Sequence, residues 1–115
     1  VTGWPCPVGY KSYVVILNQS GGHILTTTEV LNQFGLNATW VKNNTGTYLL
    51  TFPSSIFTPN KTIVIVGVGD YPGNVIFQYN KLFTDDKTLY LTIYNGTTAT
   101  DDLLKDFPLE IRVYN

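Results

Sequence analysis

The chain carries one cysteine, one histidine and no methionine, and only 13% of its 115 residues are charged. With Cys6 alone, an intramolecular disulfide, a multi-cysteine zinc site and a Cys-x-x-Cys redox pair are all excluded. Flanked by Pro5 and Pro7, Cys6 reads as a small side chain tucked under the first strand, with an intermolecular disulfide or a reactive thiol as the alternatives. Any Ser-His-Asp or Cys-His mechanism would have to combine His23 with Ser20 or Cys6, and no Gly-x-Ser-x-Gly or other nucleophile context is present. His23 therefore reads as a surface or capping residue. Seven basic residues (Lys11, Lys42, Lys61, Lys81, Lys87, Lys105 and Arg112) stand singly against eight acidic ones, so no footprint for a phosphate backbone exists and no nucleic-acid partner is expected. The apolar stretches Val14 to Leu17 and Ile63 to Val68 are too short to span a bilayer and lack a signal-peptide layout, so no membrane partner is expected either. With no Met at position 1, Val1 is expected to follow processing or truncation.

What the chain has in quantity is β-forming residues: 43% are hydrophobic, and eight Tyr, six Phe and two Trp are among them. A chain of this mass exposes about 6,000 Å² folded against about 19,000 Å² unfolded, enough burial for one core and not for two. The β-rich runs are Tyr10 to Asn18, His23 to Val30, Ala38 to Lys42, Thr47 to Phe52, Lys61 to Val68, Val75 to Asn80, Thr88 to Tyr94 and Leu109 to Tyr114. Each is closed by Gly, Pro, Asn or Asp. This spacing predicts an all-β, single-domain antiparallel β-sandwich of about eight strands, of jelly-roll or immunoglobulin-like Greek-key type. Residues 1–9 are expected to form an irregular N-terminal arm anchored by Trp4, and residues 10–115 the sandwich.

The pattern within the runs gives orientation. Tyr13, Val15 and Leu17 share one face of the first run while Val14 and Ile16 share the other, which predicts a central strand. Gln19-Ser20-Gly21-Gly22 predicts a turn. His23 to Val30 is extended by Thr26, Thr27 and Thr28, and the segment from Glu29 to Phe34 could instead form one helical turn before Gly35. Asn43-Asn44-Thr45-Gly46 suits a hairpin, with Trp40 and Tyr48 as core candidates on its arms. The continuous apolar run in Lys61 to Val66 predicts a strand buried on both faces. In Thr88 to Tyr94, Leu89, Leu91 and Ile93 are expected inward and Tyr90, Thr92 and Tyr94 outward, on a face that is either wet or covered by a partner. Leu103 to Phe107 is expected to form a short helical turn before Pro108, and the first and last strands are expected to be neighbours.

Few residues suggest chemistry. Gly67 to Gly73 is dense in glycine, but it joins two strands, whereas a phosphate cradle requires a helix N-terminus after the glycines; it reads as a wide loop bearing Tyr71. Asp85-Asp86 and Asp101-Asp102 read as turn and helix-start residues. The nearest approach to a calcium set is Asp101, Asp102 and Asp106, without the Asp-x-Asp-x-Asp-Gly spacing, so no metal or cofactor is assigned. Asn-x-Ser/Thr triplets at Asn18, Asn37, Asn43, Asn60 and Asn95 suit an N-glycosylated surface protein, although an Asn- and Thr-rich β-protein generates such triplets unaided.

Three segments carry a family resemblance: Gly9 to Gly21, Ala38-Thr39-Trp40-Val41 followed by Gly46-Thr47-Tyr48, and Leu109-Glu110-Ile111-Arg112-Val113-Tyr114. Together they resemble a small β-domain of phage-associated and environmental proteins, over about Tyr10 to Asn115. The resemblance implies a non-enzymatic part of a bacteriophage virion, in capsid decoration, a head fibre or a tail appendage. Expected partners are other virion proteins, including copies of itself. Such a module docks through packed aromatic anchors and strand edges, and Trp4, Tyr10, Tyr71, Tyr90 and Tyr94 are the candidates. The alternative is a secreted or cell-surface adhesion module whose aromatic faces stack on a glycan. A small hydrolase, the third reading, would need His23.

Overall fold

A computed structural model of the chain describes residues 9–19, 24–67 and 77–115. Nine strands run through them: β1 (Tyr10–Gln19), β2 (Leu25–Asn32), β3 (Thr39–Asn44), β4 (Thr47–Thr51), β5 (Thr62–Val66), β6 (Phe77–Asp85), β7 (Thr88–Asn95), β8 (Thr98–Ala99) and β9 (Phe107–Tyr114). They form two antiparallel sheets packed together. Sheet A has the order β2-β1-β9-β5, and sheet B has the order β3-β4-β7-β6 with β8 paired to β7. The eight β-rich runs of the sequence all contribute strands, and the two-residue β8 is added to them. Trp4, Cys6, His23, Tyr71 and the glycine-dense passage after Gly67 lie outside the described residues, as does the N-terminal arm before Gly9.

The hydrophobic core lies between the inner strands of the two sheets. From sheet A come three cross-strand pairs, Tyr13 with Ile111, Val15 with Leu109 and Leu17 with Phe107. From sheet B come Tyr48 opposite Leu91 and Leu50 opposite Leu89. All ten are essentially inaccessible to solvent, because alternate residues of a pleated strand point to one side and the central strands have neighbours on both edges. Phe52 closes one end of the core, edge-on to Tyr13, Phe34 and Phe57. Such tilted rings put a positive ring edge against a negative face.

Two polar contacts join the sheets through this apolar layer. The Trp40 indole N–H donates to the Tyr13 hydroxyl at 2.9 Å, and the buried Tyr48 hydroxyl donates to Gln19 Oε1, which also accepts the Asp102 amide at 2.9 Å. Burial, reinforced by the nearby Asp101 and Asp102 charges, holds the Tyr48 phenol well above its ordinary pKa, so it stays a donor. An unmade hydrogen bond here would leave a buried polar group unsatisfied.

The pairing of first and last strands is as the sequence predicts, since Tyr10 to Leu17 lie against Tyr114 to Phe107. Three local expectations are decided by tertiary context. Glu29 to Asn32 continues β2 rather than forming a helical turn, and the strand ends where Asn32 accepts the Phe34 amide and donates to the Leu36 carbonyl. Leu103 to Phe107 is not helical: Asp102 and Asp106 adopt positive φ, Leu103 and Leu104 drop into the core, and the Leu104 carbonyl accepts the Gln19 amide. The run in Lys61 to Val66 is not buried on both faces. As β5 it lies at the edge of sheet A, with Ile63 48% and Ile65 40% exposed, because β9 takes the position beside β1.

Candidate functional site

The outward side of sheet B is built by the same alternation that fills the core. Tyr48 and Leu50 point inward, so Thr47, Leu49 and Thr51 must point outward; Leu89, Leu91 and Ile93 point inward, so Thr88, Tyr90, Thr92 and Tyr94 point outward. Register then aligns these residues across strands. Val41 lies opposite Leu49, Leu49 opposite Tyr90, and Tyr90 opposite Leu82, which makes one apolar row across all four strands. Threonine rows flank it: Thr39, Thr51 and Thr88 on one side, Thr47 and Thr92 with Asn80 on the other. The Thr47 and Thr92 hydroxyls approach to 3.5 Å. Tyr94 stands one row further, between Gln78 of β6 and Ala99 of β8.

None of these outward positions holds Asp, Glu, Lys or Arg. Val41 is 51% and Leu82 59% exposed at the two edges of the row, while Leu49 and Tyr90 at its centre are half-buried by their neighbours. Four strands about 4.8 Å apart and three rows about 6.8 Å apart give a face of roughly 400 Å². That matches the largest patch of an ordinary monomer and is about half of what each side of a stable protein interface covers.

The ends of this face are held in place. At the β3–β4 turn the Gly46 amide donates to Asp101 Oδ1 at 2.8 Å, and the other oxygen of that carboxylate meets Lys42 Nζ at 3.0 Å. Gly46 has φ of 66°, and a Cβ there would come within 2.6 Å of the Thr100 backbone nitrogen, so only glycine fits. Asp101 is thus a clamp on a hairpin. The three carboxylates nearest to a calcium set separate accordingly: Asp101 serves Gly46 and Lys42, and Asp106 offers its amide to Asn18 Oδ1. Among the described residues no three His, Cys, Asp or Glu side chains gather as a metal site.

Of the five interaction candidates, the structure brings Tyr90 and Tyr94 onto this one face and sets Tyr10 apart on sheet A. Tyr10 stacks on Tyr114 at 4.9 Å between centroids, and the Arg112 guanidinium lies 4.8 Å from its ring centre, so its ring is engaged within its own sheet. Trp4 and Tyr71 lie outside the described residues. Leu49, Val41 and Leu82 were not legible as candidates, although Leu49 could be inferred once Tyr48 was taken as core. Comparison with protein-family models, curated proteins and solved structures finds no match to this chain.

Proposed function

We propose that this protein is a non-enzymatic interaction module that docks through the outward face of sheet B, and that its setting is a bacteriophage particle. The observation that supports docking is the apolar row Val41, Leu49, Tyr90 and Leu82 at the uncharged centre of the face, bordered by threonines. Such a face resists association less than a charged one, since it has no ion to strip of water. Tyr90 at its centre supplies a large rigid contact with a polar tip, the usual make-up of a binding anchor. The particle setting rests on the family resemblance of the segments beginning at Gly9, Ala38 and Leu109. Its partners are other virion proteins, copies of this chain among them. Since the face covers about half a stable interface, one contact is weak, and firm attachment comes from many copies or from an added strand edge.

Native mass spectrometry and co-sedimentation with particles of a phage encoding the protein test this reading together. Association that disappears on Leu49→Asp, with the melting temperature retained, supports it. Sedimentation apart from the particles overturns the setting, and unchanged association of Leu49→Asp overturns the surface. A second reading, glycan binding, draws on Tyr90 and Tyr94 standing among threonine hydroxyls and the Gln78 and Asn80 amides. Saturable binding on a glycan array, lost in Tyr90→Ala, would favour it over protein docking.

A further inference from the structure

A second site lies at the margin of that face, where sheet A and sheet B part and Asp85 stands opposite Thr88. A cavity of about 410 Å³ opens between the Thr58 to Thr62 turn ahead of β5 and the β6–β7 turn at Asp85 and Asp86. Its floor is apolar: Phe57 and Phe83 meet with ring centroids 4.6 Å apart, tilted by 56°. The volume falls within the range of small-ligand pockets.

Both walls are fixed by hydrogen bonds. The Asp86 carbonyl accepts the Ile56 and Phe57 amides, each at 2.8 Å, which ties the floor to the β6–β7 turn. In the opposite wall the Thr58 amide donates to Thr62 Oγ1 at 2.8 Å, that hydroxyl donates back to the Thr58 carbonyl at 2.9 Å, and the Lys61 amide donates to the same carbonyl. Asn60 reaches its place with φ of 65°, a conformation asparagine tolerates. Asp85 takes the Lys87 amide at 2.9 Å on Oδ1, and this bond, the largest cause, helps hold its carboxyl below the ordinary value. The lining has two carboxylates and no basic side chain. Lys61 and Lys87 adjoin it in sequence; neither comes within ion-pair distance of Asp85 or Asp86, though the Lys87 charge is near enough to help lower the Asp85 carboxyl. The lining side chains with hydrogen-bonding capacity to spare are the two carboxylates, which only accept, and the Thr58 hydroxyl and Asn60 amide, which can do both.

We infer that this cavity binds an organic cation, an alkylammonium or guanidinium group whose apolar stem rests on Phe57 and Phe83 while its head meets Asp85 and Asp86. A cationic head matches the paired carboxylates, and its apolar stem is removed from water on the two rings. A sugar, being neutral, would lack the charge–charge attraction to the two carboxylates.

Two-dimensional NMR of the intact protein at low salt tests this with n-butylammonium and n-butylguanidinium, n-butanol as the neutral counterpart, methyl glucoside, and the tripeptide amides Gly-Lys-Gly and Gly-Arg-Gly. Saturable shifts confined to Phe57, Phe83, Asp85 and Asp86 are expected for the cations, at least about tenfold tighter than for butanol, a difference of about 1.4 kcal/mol. Tighter binding of the tripeptides would identify the source as a partner's Lys or Arg side chain, and equal binding a free cation. The double variant Asp85→Asn, Asp86→Asn should lose about tenfold; Asp86→Asn alone, which keeps the Asp85 turn, should lose severalfold with an otherwise unchanged spectrum. No saturable shift with either cation, equal binding of butanol, preference for the glucoside, or full retention in Asp86→Asn would overturn the assignment.

Discussion

The two outward faces of the sandwich are built by the same rule and end up with opposite characters. On sheet A, the centre is ionic: Glu110 accepts Ser12 Oγ at 2.6 Å and Arg112 Nε at 2.9 Å, and Arg112 in turn covers Tyr10. The apolar residues of that face, Leu31 beside Val14 and Ile16 of β1 on one flank and Ile63 and Ile65 of β5 on the other, lie on opposite sides of Glu110 and Arg112. On sheet B, the centre is Leu49 and Tyr90, the apolar row is continuous, and the charges are at the rim. A face whose middle holds a satisfied ion pair is finished as it stands, since docking on it would bury charge. A face whose middle is apolar and neutral still has surface to remove from water. The difference comes from what occupies the outward positions of the two inner strands: Glu110 and Arg112 in β9, against Tyr90 and Thr92 in β7.

The contrast can be broken at its framework first. Gly46→Ala should cost about 3 kcal/mol, from the left-handed backbone and from the approach of the new Cβ to the Thr100 backbone; a fall in melting temperature together with lost partner binding is expected. An unchanged melting temperature would mean that the clamp on sheet B is unnecessary. Next in size, Tyr90→Asp should weaken partner binding by about 2 kcal/mol, roughly thirtyfold, with folding far less affected. Titration calorimetry against the isolated partner reads it directly. The matching change on the other face, Ile63→Asp, should leave binding unaltered and shift stability by no more than about 0.5 kcal/mol, because Ile63 is already 48% exposed and lies opposite Arg112; equal loss from both substitutions would erase the distinction between the faces.

A small, pH-dependent effect is expected at Glu110. Its carboxyl is held below the usual glutamate range, chiefly by the Arg112 side-chain hydrogen bond and further by the Ser12 bond, against an opposing cost of burial. A folded-state pKa below the unfolded one gives stability that is present above the unfolded value and lost as pH falls through the folded value. Because the pair is partly exposed, Glu110→Gln should cost less than about 1 kcal/mol at neutral pH. Thermal melts of the two proteins should converge in acid; a gap that stays constant from neutral pH into strong acid would show that the pair contributes no charge-dependent stability.

Much of the fold could be read in the sequence, and particular elements explain why the rest could not. Thr88 to Tyr94 alternates strictly, so the inward Leu89, Leu91 and Ile93 were set by period alone. The same reasoning fails for Ile63 to Val66, where every residue is apolar and alternation carries no signal; whether that run lies in the centre or at an edge depends on where β9 inserts. Leu103 to Phe107 has helical spacing, yet two residues in positive φ, Asp102 and Asp106, and the pull of the core on Leu103 and Leu104 prevail. Tyr90 and Tyr94 were legible as outward. Their alignment with Leu82, Leu49 and Val41 was not, since it needs the register of four strands. The cavity above Phe57 and Phe83 was equally hidden, as its two walls come from separate stretches of the chain, Thr58 to Thr62 and Phe83 to Asp86.

Local pattern by itself determined the strands, their inward side chains and the single core, because a pleated chain with alternating apolar residues has one simple way to hide them. Only the tertiary structure decided which outward face is neutral and which is ionic, and where the sheets part to leave a cavity. Those properties depend on which strands become neighbours and in what register. A pairing as distant along the chain as Val66 with Leu109 leaves no trace in either partner's own sequence.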